Sequence, residues 1–105
     1  MTVERDAASA SERMRLVIAL TEVNSRHLRG ESRRAGAEIE LACALACEER
    51  DGVSQTGTAD VEQLRERLSE AERTLLAIES EQQGLVDELA RLDSRASTGS
   101  QGDWQ

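Results

Sequence analysis

The chain has 105 residues, a net charge of −8, one Trp and no Phe, Tyr or Pro. This length suits one domain, but a compact core is hard to fill with so few aromatic side chains. The acidic balance argues against binding a nucleic-acid backbone, which requires clustered positive charge. The absence of Pro removes the commonest helix breaker, so the composition favours long helices that pack through Leu, Ile, Val and Ala.

The amino-acid usage and the apolar runs of the sequence indicate the source genome and the cellular location of the protein. All 13 basic residues are Arg, and the amino acids with AT-rich codons are scarce, which predicts a GC-rich bacterial or phage genome. Residues 1–15 lack the apolar stretch of a signal peptide. The longest mostly apolar run, 41–47, is far shorter than the ~20 residues that span a bilayer. We therefore expect a cytoplasmic protein without a membrane partner.

The first predicted element is a helix over about 11–50. Residues 9–12 read Ser-Ala-Ser-Glu, which fits a capping box. In this motif the side chains of Ser9 and Glu12 each accept a hydrogen bond from a free backbone N–H at the start of a helix. Residues 1–8 are expected to be frayed. Gly30 and Gly36 each cost about 1 kcal/mol relative to Ala in a helix interior, so the sequence leaves open whether this helix breaks near Gly30.

A loop over 51–59 and a second helix over 60–95 follow. Gly52 suits the C-cap of the first helix. The Ser/Gly-rich tail, 96–105, is predicted to be disordered, and its Trp104 is either a docking element or an unremarkable terminal residue. The fold class predicted for 9–95 is all-α: an antiparallel helical hairpin, or coiled coil, that forms a multi-helix bundle by association.

The second helix carries the clearest pattern in the sequence. Apolar residues alternate in steps of three and four over five heptads, and Gln82 is the polar exception. This repeat predicts a coiled-coil seam. The predicted seam comprises Val61, Leu64, Leu68, Ala71, Leu75, Ile78, Gln82, Leu85, Leu89, Leu92 and Ala96.

The first helix offers two stripes that could face this seam, and exposed charge pairs are too weak to decide between them. One stripe is uncharged and rich in small residues: Met14, Ile18, Thr21, Ser25, Leu28, Ser32, Ala35, Ile39, Ala42 and Ala46. The other carries its large apolar residues towards its two ends and is broken in its middle: Leu16, Leu20, Val23, His27, Gly30, Arg34, Ala37, Leu41 and Ala44.

One partner helix cannot cover both stripes, and leaving large apolar side chains exposed to water is unfavourable in free energy. We therefore expect either self-association or an obligatory protein partner. If the small-residue stripe faces inward, the additional contact is predicted at Leu16, Leu20, Val23, Leu41 and Leu45.

The candidate chemistry is limited to two cysteines. Cys43 and Cys47 lie one turn apart on one helix face, where two thiolates can hold a soft metal or respond to oxidation. Their Leu/Ala-rich setting favours a structural role as small apolar fillers. His27 has no paired nucleophile motif, and no Gly-rich phosphate loop is present, so no catalytic residue and no cofactor is predicted.

The acidic turn Glu48, Glu49 and Asp51 lies at the predicted hairpin tip. In general architecture it resembles bacterial factors that insert an acidic coiled-coil tip into the secondary channel of RNA polymerase. That resemblance implies a hairpin acting on the transcription machinery.

The function predicted from the sequence is non-enzymatic protein–protein interaction, as a small adaptor, chaperone-like subunit or assembly component. The expected partner is a protein or further copies of the chain, with no nucleic acid, membrane or small-molecule substrate. The alternatives are a metal- or redox-responsive protein using Cys43 and Cys47, and the acidic-tipped hairpin.

Overall fold

The computed structural model describes the backbone of residues 2–52 and 55–101 and the side chains of residues 7–52 and 60–95. In this part of the chain there are two helices, α1 (Thr2–Asp51) and α2 (Gln55–Gln101), and no strand. They pair as an antiparallel hairpin, which confirms the predicted fold class. Association into a larger bundle stays a prediction, and Trp104 lies outside the described residues.

Both helices extend further than the sequence signals suggest. α1 begins at Thr2, so the capping pattern at 9–12 lies inside the helix. α2 begins at Gln55, within the predicted loop, and continues to Gln101. A capping pattern shows where a helix can begin, whereas flanks without Pro allow the backbone hydrogen bonds to continue past it.

The end of α1 is set by Gly52. Its φ is +82°, a left-handed conformation that glycine adopts without strain. The Gly52 N–H donates to the Glu48 carbonyl oxygen at 2.9 Å, which satisfies one of the free carbonyls at the helix end. The predicted C-cap at Gly52 is therefore confirmed.

α1 is continuous through Gly30, so the break that the sequence left open does not occur. Gly30 is buried, and a Cβ built on it would lie 3.0 Å from Leu75 Cδ2 and 3.7 Å from Ile78 Cδ1. Glycine at this position lets α2 place two large side chains directly against the α1 backbone.

The hairpin divides into two units. The end unit combines Met1–Ser25 with Glu79–Gln105, and the turn unit is Arg26–Ile78. In the end unit, α1 buries Leu16 and Val23. The buried apolar residues of the turn unit are Ala37, Val61, Leu75 and Ile78. Each unit thus has a narrow core between two helices, as expected for helical segments that contain no aromatic residue.

Candidate interaction surface

The burial of α2 matches the predicted seam. Between Asp60 and Arg95 the buried and half-buried side chains are the ten seam positions from Val61 to Leu92, and all the others are exposed. The remaining seam position, Ala96, lies beyond the described side chains. The heptad pattern alone therefore located the inward face of this helix.

The α1 stripe that is broken in its middle faces inward. All nine of its positions, from Leu16 to Ala44, are buried or half-buried. Its polar middle is tolerated because Gly30 receives Leu75, and because the half-buried Arg34 turns outward to pair with Glu38 at 2.8 Å. We call this set the inner stripe.

This arrangement bears on the five residues predicted for a partner contact. That prediction assumed that the small-residue stripe faces inward, which the structure does not show. Leu16 and Val23 are instead buried within the chain, Leu20 and Leu41 are half-buried on the inner stripe, and Leu45 alone is exposed. Packing within the hairpin takes up four of these side chains, so they are no longer available as a separate contact surface.

The uncharged stripe lies on the exposed surface of α1, and we call it the outer stripe. It comprises Met14, Ile18, Thr21, Ser25, Leu28, Ser32, Ala35, Ile39, Ala42 and Ala46. Ala35 is half-buried and the other nine are exposed.

The large side chains of the outer stripe are strongly exposed. In the end unit this concerns Met14 and Ile18, and in the turn unit Leu28 and Ile39, with exposed fractions of 60–69%. Val17 and Leu45 beside the stripe are 44% and 37% exposed. Met14, Val17 and Ile18 are neighbours on the helix surface, as is typical of protein contact surfaces, whereas Leu28 and Ile39 are separated from them and from each other by Thr, Ser and Ala.

Polar contacts of the end unit flank the inner stripe. Arg13 pairs with Asp93, and Arg15 lies 3.8 Å from Glu88. Arg15 also bonds Glu12 on its own helix at 2.6 Å, and this hydrogen bond together with the arginine charge lowers the pKa of Glu12. All of these groups are exposed, so each pair adds little stability; their opposite charges favour this pairing of α1 with α2.

Gln82, the polar seam position, finds its partner in the same chain. Its Nε2 donates to Asn24 Oδ1 at 2.6 Å. A buried seam amide favours the register that gives it a hydrogen-bond partner, and the heptad pattern of α2 did not identify Asn24 as that partner. The available signal was that Asn24 is the single Asn of the sequence and directly follows the inner-stripe residue Val23.

A groove of about 470 Å³ opens in the turn unit. Small residues create it, because Gly36, Ala37 and Ala71 leave space between the helices. Its rim carries two basic and two acidic side chains, Arg33, Arg67, Glu40 and Glu70. Arg67 is already paired with Glu40 at 3.2 Å, so the rim has balanced charge and no preference for an anion or a cation.

The two cysteines are free thiols at the surface. Arg50 Nη2 lies 3.4 Å from Cys47 Sγ and donates to it. The structural interpretation, in which both cysteines fill space in a packed face, is therefore not supported within this chain. The reason is geometric, since both lie outside the inner stripe while their neighbours Leu41 and Ala44 are half-buried on it.

The acidic turn lies in the last turn of α1. Glu48 is half-buried there, while Glu49 and Asp51 are exposed. No contact of these side chains points to a particular target, so the proposed action on transcription stays a prediction.

By its fold, the chain is a two-helix antiparallel coiled-coil hairpin. Within the residues described, neither helix has a stretch that is long and apolar enough to cross a membrane. Comparison with protein-family models, with curated proteins and with solved structures finds no match. The surface of the hairpin itself is therefore the feature that indicates a function.

Proposed function

We propose that this chain is a non-enzymatic interaction module that binds another protein through the outer stripe of α1. The main support is the exposure of Met14, Ile18, Leu28 and Ile39 on a heptad row without a single charge. A helix face that remains in water normally carries charged and polar residues. An uncharged heptad row that is apolar at seven of its ten positions is closer to the pattern that receives a second helix.

The energetics favour a partner. Burying a large apolar side chain fully is worth about 1.5–3 kcal/mol, and these four are already about one-third covered, so a partner gains roughly 1–2 kcal/mol from each. Association costs about 4–15 kcal/mol. Four side chains from this chain and a comparable number from a partner together contribute roughly 8–16 kcal/mol, which is of the same size as that cost.

The test replaces Ile18 and Ile39 together by Glu. Both are exposed in the hairpin, so we expect helicity by circular dichroism to be retained. The mass by light scattering should fall from that of an assembly to the 11.5 kDa of one chain, because two charges would have to be buried at the contact.

The matched control is Leu76→Glu, which changes a similarly exposed apolar residue of α2 and should leave the assembly intact. The mass of the assembly that contains the tagged chain is also measured in an extract of its source cells. A partner other than this chain itself would be present there. A wild-type chain that runs as a monomer both when pure and in the extract would contradict the proposal.

A second candidate function is metal or redox response through Cys43 and Cys47. The observation in its favour is that both thiols are exposed, with the guanidinium of Arg50 beside Cys47. Exposed thiols one helical turn apart are accessible to a soft metal ion or to an oxidant.

Changing both cysteines to Ala separates this candidate from the interaction module. Because the side chains are exposed, the variant should keep its helicity and its assembly mass, with a change in unfolding free energy of about 0.5 kcal/mol or less. Metal analysis of protein purified without chelators or reducing agents is the second measurement. Stoichiometric zinc or copper that disappears in the double variant would establish the cysteine function instead.

A further inference from the structure

We propose that the partner of the outer stripe is a second copy of this chain, with its α1 antiparallel and the two-fold axis midway between Leu28 and Ser32. This inference rests on the proposed function, because it names the partner of the same surface. It follows from the distribution of large and small residues along α1, which is one continuous helix from Thr2 to Asp51.

In this register the outer stripe is complementary to itself. Antiparallel coiled-coil seams pair positions in reverse order, so each residue before the axis meets one equally far beyond it. The layers are Met14 with Ala46, Ile18 with Ala42, Thr21 with Ile39, Ser25 with Ala35, and Leu28 with Ser32 of the second copy. No layer brings two large side chains together, and all ten positions are used. Large residues facing small ones allow interdigitation at native packing density.

Other arrangements fit less well. A shift of one heptad in either direction places Ile39 against Leu28 or against Met14 and leaves positions at the ends without a partner. A parallel, in-register pair brings Ile18, Leu28 and Ile39 each against its own copy. Its layers of Ser or Ala would leave gaps between the same helices, so tight packing along the whole stripe is lost.

The residues beside the stripe support the same register. Residues that flank an antiparallel seam pair two positions away from the register of the seam layers. Val17 therefore lies beside Leu45 of the second copy, and the contact covers two further exposed apolar residues. Glu22 falls opposite Gly36, where it meets no like charge. Near the axis Arg29 meets Arg29, and Glu31 meets Glu31, which is unfavourable, but exposed charge pairs contribute little compared with apolar burial.

The contact is large enough for a specific dimer. At a rise of ~1.5 Å per residue, the stripe from Met14 to Ala46 is about 50 Å long, and a helix is about 10 Å wide. The two surfaces together therefore bury on the order of 1,000 Å², which is about the minimum for a biological interface and is typical of a weak dimer.

Cysteine cross-linking tests the partner and the register together. In full-length chains with Cys43→Ser and Cys47→Ser, one variant carries Ser25→Cys and another Ala35→Cys. Oxidation of the mixture should give a disulfide-linked heterodimer, since these two positions share a layer. Neither variant should cross-link alone, because two copies of position 25 are then about 15 Å apart along the helices, beyond the ~7 Å between Cα atoms that a disulfide tolerates.

The mixture of Ser25→Cys with Ala42→Cys is the register control and should stay uncross-linked; a cross-link there would overturn the proposed register. Cross-linking of each variant by itself would show a parallel pair and overturn the antiparallel one. If no pair cross-links and the pure chain is monomeric while it assembles in the cell extract, self-pairing is wrong and the interaction module stands. If it assembles in neither, both proposals fail.

Discussion

Replacing Leu16 by Ala is expected to lower the free energy of unfolding by about 2–5 kcal/mol. Leu16 is 1% exposed and is the largest fully buried side chain among the described residues. Its removal leaves a cavity between α1 and α2 that a two-helix core has few side chains to fill. Small domains are stable by only about 5–15 kcal/mol, so the variant should lose a large part of its folded range in urea.

The matched control is Leu76→Ala, which removes the same atoms from a side chain that is 66% exposed and should change the unfolding free energy by about 0.5 kcal/mol or less. Urea unfolding by circular dichroism, at one chain concentration for all variants, measures both. The unfolding free energy of an additional Ile18→Ala variant, at a concentration at which the chain is monomeric, tests which stripe faces inward. Strong destabilisation by Ile18→Ala together with a neutral Leu16→Ala would contradict the observed arrangement.

Replacing Gly30 by Leu is expected to destabilise the hairpin, although most residues favour a helix more than Gly does. A Cβ at this position already lies 3.0 Å from Leu75, and three further carbons must displace Leu75 or Ile78. Overpacking of this kind costs about 1–3 kcal/mol. The same change at Gly84, where a Cβ has no neighbour within 4 Å, should gain about 1 kcal/mol from helix propensity.

The measured quantity is the difference in unfolding free energy between these two variants. It is expected at about 1–3 kcal/mol, because both variants gain the same helix propensity and only Gly30→Leu carries the overpacking cost. Gly36→Leu serves as a control on α1 itself, because a Cβ there also meets nothing within 4 Å. Equal stabilisation by Gly30→Leu and Gly36→Leu would show that the helices do not approach closely at Gly30.

The sequence by itself determined the fold class and the inward face of α2. Both depend on local sequence. Without Pro the helices are not interrupted, and the regular row of Leu, Val and Ile gives α2 one apolar face to bury. Gly52 as the end of α1 was equally local, since a left-handed residue at a helix end is most often glycine. The bounds of the helices were less well predicted, because helix-capping patterns permit a start without requiring one.

The tertiary structure alone decided which face of α1 is inside. Two rows on α1 share the same period, and the charges beside them differ by energies too small to choose between them. The choice depends on which α2 residues face each row of α1. Leu75 and Ile78 pack against Gly30, and Asn24 accepts a hydrogen bond from Gln82. Such contacts join residues distant in sequence, so no pattern within one helix reveals them. The same pairing leaves Met14, Ile18, Leu28 and Ile39 in water, because a single partner helix covers one face of α1.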